Sequence, residues 1–171
     1  MPVNVDLDFE SQELKACVRK LKEIDVELAY LGLLTRGGLK PLSRWEKPLD
    51  NDGLKLLGRM GLLTNQIRRT VKTGRAVSET IFSTVGGYIE LYEKRFGGRP
   101  IDKSAGAVRF EGFLFGFPPC CVDAFIRHSY AKNDLPCEQQ KILFHWACRG
   151  CKITPVLLPA YQNIYEFLVS C

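Results

Sequence analysis

The sequence lacks a long apolar run and lacks a secretory leader at its start. Its longest apolar stretch, residues 29–34, contains Gly32 and is followed by Arg36, so it falls short of the roughly 18 apolar residues that a membrane-spanning helix needs. Residues 1–9 are polar and acidic, whereas a secretory signal is basic and then apolar. We therefore expect a cytoplasmic protein with reduced thiols and no contact with a membrane.

The sequence also lacks familiar enzyme signatures. It has no P-loop, no dinucleotide-binding glycine motif and no nucleophile elbow, and its paired glycines do not follow a predicted strand. It contains no internal repeat and no low-complexity tract. The sequence therefore gives no motif that assigns the chain to a known class of enzyme. A reaction at a site without such a motif is still possible.

The composition that is present suits one folded domain. The 171 residues are 46% hydrophobic and 25% charged, as in ordinary globular chains. The formal net charge is +5, and the positive excess is local, because residues 36–75 hold ten basic and three acidic side chains. This distribution predicts a basic surface suited to an anionic partner.

Apolar residues recur mostly every three to four positions, which is typical of amphipathic helices. We predict a mainly α, compact helical domain with a C-terminal Cys/His-rich helical segment and at most one short strand. A helical region 1–106, with the basic surface at 36–75, and a metal-site region 107–171 are expected to form one compact unit. The predicted helices span 10–34, 54–72, 77–92, 120–130, 134–150 and a stretch opening at Pro155, and the aromatic-rich segment 107–117 is predicted to be a short strand or an extended loop.

Seven cysteines are an unusual number, and five of them lie between residues 120 and 151, together with both histidines. On a helix, His145 and Cys148 would share one face, and Gly150 would let the turn to Cys151 bring two sulfurs to one ion. The prolines before the Cys-Cys pair predict a helix start, where free N–H groups favour thiolate. The candidate metal ligands are therefore Cys120, Cys121, His145, Cys148 and Cys151, whereas Cys17, Cys137 and Cys171 are expected to be core or incidental residues.

These ligand types leave several kinds of site open. In a closed site, one of Cys120 and Cys121 joins the other three ligands around a structural zinc ion. In an open site both reach the metal region, or one stays free as a nucleophile or redox thiol, which would make the protein an enzyme. An iron–sulfur cluster on four cysteines is a further alternative, although adjacent cysteines rarely both reach a cluster. Zinc is the preferred interpretation.

Four basic residues follow one another at short helical spacing near the end of the predicted second helix: Arg68, Arg69, Lys72 and Arg75. Three of the four can share one exposed face there, and such a stripe suits phosphates. Trp45, which has basic neighbours, would add a platform on which an unpaired base stacks. We predict a surface that binds RNA or DNA, with a solvated helix face as the alternative.

Two motifs resemble a known family. They are Gly116-Phe-Pro-Pro-Cys-Cys121 followed by Asp123-Ala-Phe125, and Leu143-Phe-His-Trp-Ala-Cys-Arg-Gly-Cys-Lys-Ile-Thr-Pro155. Over about the last 60 residues the chain is similar to a family of archaeal proteins catalogued as domain of unknown function 483. The resemblance implies an archaeal, cytoplasmic source and a shared Pro-Pro-Cys-Cys plus His-x-x-Cys-x-x-Cys unit that falls on the five candidate ligands. It implies no activity and no substrate.

Overall fold

The computed structural model describes residues 5–171, which form eight helices and three strands. The fold is mainly α, as predicted, but its sheet exceeds the single short strand that we expected. No helix in this part of the chain is long and apolar enough to cross a membrane. The strands β1 (Ser43–Trp45), β2 (Leu63–Thr70) and β3 (Ala76–Ser83) are antiparallel in the order β1-β3-β2. The helices are α1 (Gln12–Ile24), α2 (Val26–Arg36), α3 (Asn51–Arg59), α4 (Gly86–Phe96), α5 (Ala105–Leu114), α6 (Pro119–Arg127), α7 (Cys137–Lys141) and α8 (Thr154–Ser170).

Helices α1 and α2 occupy the segment predicted as one helix. The Ser11 hydroxyl accepts a hydrogen bond from the Leu14 N–H at 3.2 Å and caps α1. Asp25 ends α1 and caps α2, since its carboxylate accepts from the Glu27 N–H at 2.8 Å. A side-chain oxygen at this position satisfies an N–H that has no partner within the helix. The predicted helix 10–34 is therefore a pair of helices that meet at Asp25.

The hydrophobic core has two parts. The larger part lies among α1, α2, α3 and α8 and includes the fully buried Leu34, Leu57 and Tyr161. The smaller part lies between the sheet and helices α4 and α5 and includes Ile81 and Phe96. Because α8 packs on α2, the region 107–171 shares its largest core with the region 1–106.

The predicted second and third helices were the largest error. Helix α3 ends at Arg59, and the chain then forms the β2–β3 hairpin before α4 begins at Gly86. Gly74 has a φ of +82° in the hairpin turn, a conformation that glycine adopts without strain. The Val71 N–H donates to the Arg75 carbonyl across this turn at 2.9 Å. Gly74 therefore closes a β-hairpin and does not end a helix.

The C-terminal region also differs from prediction in two places. Helix α5 occupies most of the segment 107–117 that we expected to be extended, and α7 is the only helical part of the described segment 134–150. Helix α6 begins where it was predicted. It packs closely on α5 because Gly112 has no side chain, and a Cβ at that position would lie 2.5 Å from Val122 Cγ2. This contact fixes the start of α6, where the paired cysteines lie.

Candidate metal centre

Four of the five candidate metal ligands come together in space. The Sγ atoms of Cys120, Cys121, Cys148 and Cys151, hereafter the cysteine centre, all lie within 4.8 Å of one another. Their sulfurs are 3.5 Å apart for Cys121–Cys151, 3.7 Å for Cys120–Cys151, 3.8 Å for Cys121–Cys148 and 4.0 Å for Cys120–Cys121. The other three cysteines lie outside this group, and none of the seven forms a disulfide in the described chain. Four soft sulfur donors at this spacing can hold a metal ion.

The first turn of α6 supplies two of the four sulfurs. Pro119 is the first helical residue, a position that needs no N–H donor and suits the fixed φ of proline. Cys120 is exposed, whereas Cys121 is buried at 1% exposure. Of the arrangements that the sequence left open, the structure has the one in which both sulfurs reach the same centre.

The turn from Cys148 to Cys151 supplies the other two sulfurs. Gly150 has a φ of +67°, and the Cys151 N–H donates to the Cys148 carbonyl at 3.2 Å. The Asp134 carboxylate accepts a hydrogen bond from the Gly150 N–H at 3.0 Å. The glycine thus allows the tight turn that the sequence predicts, and the Asp134 hydrogen bond stabilises this turn.

Hydrogen bonds from the start of α8 and from the turn are directed at the sulfurs. The Cys148 N–H donates to Cys121 Sγ and the Thr154 N–H donates to Cys151 Sγ, both at 3.3 Å. The Thr154 hydroxyl lies 3.3 Å from Cys151 Sγ. Donors placed in this way stabilise thiolate and orient a metal ligand. Thr154 was not among the predicted site residues, and its only signal in the sequence was a hydroxyl side chain before Pro155 at a helix start.

His145 is not among the four grouped ligands. Residues 142–150 form no helix, so the prediction that His145 and Cys148 share a helical face is wrong. The His145 Nε2 lies 2.9 Å from Thr154 Oγ1, which in turn contacts Cys151 Sγ. Burial, with a contribution from the Lys40 charge, lowers the pKa of His145 to about 4. A neutral imidazole is therefore connected to Cys151 Sγ through the Thr154 hydroxyl.

The thiols of the cysteine centre do not ionise alike. Burial raises the pKa of Cys121 above its ordinary value and raises the pKa of Cys148 to about 11. Burial also opposes ionisation of Cys151, but hydrogen bonds from the Thr154 side chain and backbone outweigh it and lower the pKa of Cys151 to about 6. Cys151 therefore loses its proton more readily than Cys121 and Cys148, and a cation would favour ionisation of those two thiols.

The four basic residues do not form the predicted helical stripe. Arg68 and Arg69 are neighbours on strand β2, and successive side chains of a strand point to opposite faces. Arg68 is exposed, whereas Arg69 is buried at 2% exposure. Lys72 and Arg75, at the hairpin turn, are exposed. Trp45 is buried in β1, so it offers no open platform for a base.

Comparisons of the chain with protein-family profiles, with curated proteins and with solved structures found no match. The resemblance to the archaeal family, with the archaeal source and cytoplasmic location that it implies, therefore stays a prediction. Inferences about function depend on the geometry of the cysteine centre and of the surfaces around it.

Proposed function

We propose that the cysteine centre binds one zinc ion through four thiolates. Zn–S bonds of about 2.3 Å place the sulfurs of a regular tetrahedron about 3.8 Å apart. Four of the six sulfur separations, from 3.5 to 4.0 Å, lie around this value, and all six are within 4.8 Å. This agreement is the observation that carries the proposal.

The same distances favour a single ion over an iron–sulfur cluster. In a cluster the cysteines bind several iron atoms, so some of the sulfurs lie farther apart than one tetrahedral edge. Cys121 Sγ lies within 4.0 Å of each of the other three sulfurs. Such spacing fits one shared metal ion and does not fit a larger cluster.

The ligand number favours a structural role for the ion. Four protein ligands leave no coordination position for water or substrate, whereas catalytic zinc sites keep one. Both thiols of the Cys-Cys pair belong to the centre, so neither is a separate nucleophile. An ion here ties α6 to the 148–151 turn across 27 to 31 residues of chain, and its binding energy then contributes to folding.

Metal analysis of anaerobically purified protein tests this proposal. We compare the wild type with Cys151→Ser, which removes a ligand, and with Cys137→Ser, which removes an exposed thiol outside the centre. We expect about one zinc per chain in the wild type and in Cys137→Ser. Cys151→Ser is expected to lose the zinc and to unfold at a lower temperature, because the metal contributes to folding.

Two results would contradict the zinc proposal. Iron with inorganic sulfide in a brown protein would show that the centre holds a cluster. Freshly reduced protein that contains no metal and fails to bind added zinc would show that the four thiols hold none.

We propose, as a second function, that the exposed part of the β2–β3 hairpin binds RNA or DNA. Arg68, Lys72 and Arg75 are exposed there. Within residues 5–171, none of the three takes part in an ion pair. Basic side chains without acidic partners are available to phosphates.

Salt-dependent binding of labelled single-stranded RNA and of duplex DNA, both of mixed sequence, tests this second function. Changing Arg68, Lys72 and Arg75 together to alanine is expected to lower the slope of log affinity against log salt by about two for the RNA. The control changes three exposed lysines elsewhere to alanine: Lys20, Lys55 and Lys132. If the two triple variants bind alike, the hairpin is not the binding surface.

A further inference from the structure

A cavity of about 840 Å³ lies beside the cysteine centre. Its walls come from helices α5 and α6 and from the segment 140–146. Cys121 belongs to one wall but is only 1% exposed. The volume falls within the range of roughly 300 to 1,000 Å³ that is typical of small-molecule sites. The zinc proposal gives this cavity no role.

Aromatic rings form much of the cavity wall. Phe125 packs edge-on against Tyr130 with ring centroids 5.2 Å apart, and Tyr130 packs edge-on against Trp146 at 5.5 Å. Phe115 and Phe117, on the α5 side, are also paired, at 5.7 Å. Aromatic side chains arranged in this way offer faces and edges to a planar ring.

Tyr130 is unusual both in exposure and in backbone conformation. It is 69% exposed although it contributes to the cavity wall. Its φ of +59° places it in the left-handed region, which is unfavourable for a residue with a side chain. Strain of this kind concentrates at sites that bind ligands, and here it holds an aromatic ring at the edge of a cavity.

The charges around the cavity leave a positive excess. The Arg44 guanidinium and the Glu111 carboxylate form an ion pair at 2.6 Å, so their charges offset each other. Lys103 and Lys141 also line the cavity and are exposed. In the described chain, 5–171, neither lysine forms an ion pair. His145, which also lines the cavity, is neutral at neutral pH. At the exposed part of the wall where Lys103 and Lys141 lie, charge complementarity therefore favours an anionic group.

We propose that this cavity binds a small molecule that carries a planar aromatic ring and one anionic group. The ring lies among Phe117, Phe125 and Trp146, and the anionic group pairs with Lys103 or Lys141. The proposal does not require zinc in the cysteine centre. It requires only that α5, α6 and the segment 140–146, which form the cavity wall, keep the same positions relative to one another.

Isothermal titration with four matched compounds tests both parts of the proposed ligand. 2-Naphthoate and 2-naphthyl phosphate share a ring and differ in their anionic group, so they distinguish a carboxylate from a phosphate. 2-Naphthylmethylammonium keeps the ring and reverses the charge, and cyclohexanecarboxylate keeps the charge without an aromatic ring. We expect at least one aromatic anion to bind with one site per chain, and the last two compounds to bind about tenfold more weakly.

Two variants then locate the binding site. The double change Lys103→Ala with Lys141→Ala is expected to weaken binding of the aromatic anion about fivefold, whereas Lys20→Ala with Lys55→Ala removes the same charge elsewhere and should not. Tyr130→Gly is expected to weaken it by a similar factor. Glycine relieves the left-handed strain but also removes the ring contacts with Phe125 and Trp146. The unfolding temperature of this variant is therefore measured beside its affinity, to show that the protein stays folded during the titration.

Several results would overturn this inference. One is the absence of binding heat for both aromatic anions. Another is equal affinity for all four compounds, which would indicate nonspecific association. Unchanged affinity in both the double-lysine variant and Tyr130→Gly would place the binding outside this cavity.

Discussion

At the scale of single residues, Lys40 is an amine buried among aromatic rings. It is 3% exposed, and its Nζ donates to the Phe115 carbonyl at 3.2 Å. The same atom lies 4.5 Å from the ring centroid of Phe117 and 5.2 Å from those of Phe115 and Phe144. Burial, aided by the nearby Arg44 charge, lowers the pKa of Lys40 to about 7. The folded protein therefore favours the neutral amine far more than the unfolded chain does.

Lys40→Met is expected to raise the free energy of unfolding at pH 7 by about 1–4 kcal/mol, because it replaces a buried ionisable group with an apolar side chain. In the wild type, the folded lysine loses its proton near pH 7 and the unfolded lysine near pH 10.5. The unfolded chain thus binds more protons between these values, and wild-type stability rises with pH across the window. Urea unfolding at several pH values should show the difference between the two proteins shrinking as pH rises. A less stable variant at pH 7 would mean that the rings and the carbonyl stabilise the ammonium.

Arg69 is a second buried charge, and it lies in an interior network. Its Nη1 is 3.3 Å from a Glu111 carboxylate oxygen, 3.8 Å from Glu79 and 3.3 Å from the Tyr92 hydroxyl. Its guanidinium also stacks 4.8 Å from the ring centroid of Phe96. Arg69 thus shares Glu111 with Arg44, and within the described residues it is the only ion-pair partner of Glu79.

Arg69→Met is expected to lower the free energy of unfolding by about 3–5 kcal/mol, because it leaves the buried Glu79 carboxylate without an ion-pair partner among the described residues. The matched control is Arg68→Met, at the exposed neighbouring position, which should change stability by at most about 0.5 kcal/mol. Chemical denaturation of the two variants measures both values. Similar values for the two would mean that Arg69 contributes no more than a surface residue.

At the scale of elements, the sequence predicted helices well where the apolar spacing within the segment marks a helix, as in α1, α2, α6 and α8. It failed at β2 and β3, whose stability depends on pairing with each other and with β1. The apolar residues Ile67 and Val71, four positions apart, fit a helix. In the structure, Ile67 and Arg69 are the side chains of β2 that point into the interior, which is the alternation of a strand. The charged side chain of Arg69 concealed that alternation, because arginine is rarely buried.

Two glycines from that misread segment provide a test of the hairpin. Gly74→Ala should lower the free energy of unfolding by about 1 kcal/mol, because its φ of +82° is unfavourable for alanine. Gly58→Ala should raise it by about 0.5–1 kcal/mol, because alanine is the better helix former and Gly58 lies within α3, where an added Cβ would meet no atom within 4 Å. Thermal or urea unfolding gives both signs. A stabilising Gly74→Ala would support the helix that the sequence first indicated.

At the scale of the whole molecule, the cysteine centre was the most predictable feature, because sulfur chemistry and the glycine turn are encoded within a few residues. The position of His145 and the role of Thr154 could not be predicted from the sequence, since they depend on how the 142–150 segment folds against α8. The cysteine centre joins the start of α6 to the 148–151 turn and to no other part of the described chain. The main packing of α8 on α2 does not pass through it.

Removing the proposed zinc should therefore release one part of the chain. With a chelator and reductant, limited proteolysis is expected to cut first between residues 127 and 153, where many side chains are exposed. Circular dichroism should show that most of the helix content remains. The wild type and the Cys137→Ser variant, both loaded with zinc and without chelator, serve as resistant controls. Uniform digestion of the whole chain would show instead that the metal stabilises the entire fold, and unchanged resistance would show that it stabilises none of this segment.

The packing of α2 against the C-terminal helix also has a consequence for synthesis on the ribosome. Tyr30 in α2 donates to the Tyr161 carbonyl of the C-terminal helix at 3.4 Å, and Lys22 in α1 donates to its Leu168 carbonyl at 2.9 Å. The end of α2 at residue 36 precedes the buried Leu158 by 122 positions. At translation rates of about 5–20 residues per second, roughly 6–24 seconds separate the emergence of these two segments. During that interval the part of the nascent N-terminal helix pair that α8 covers in the folded protein stays exposed, and chaperones bind transiently exposed apolar surface of this kind.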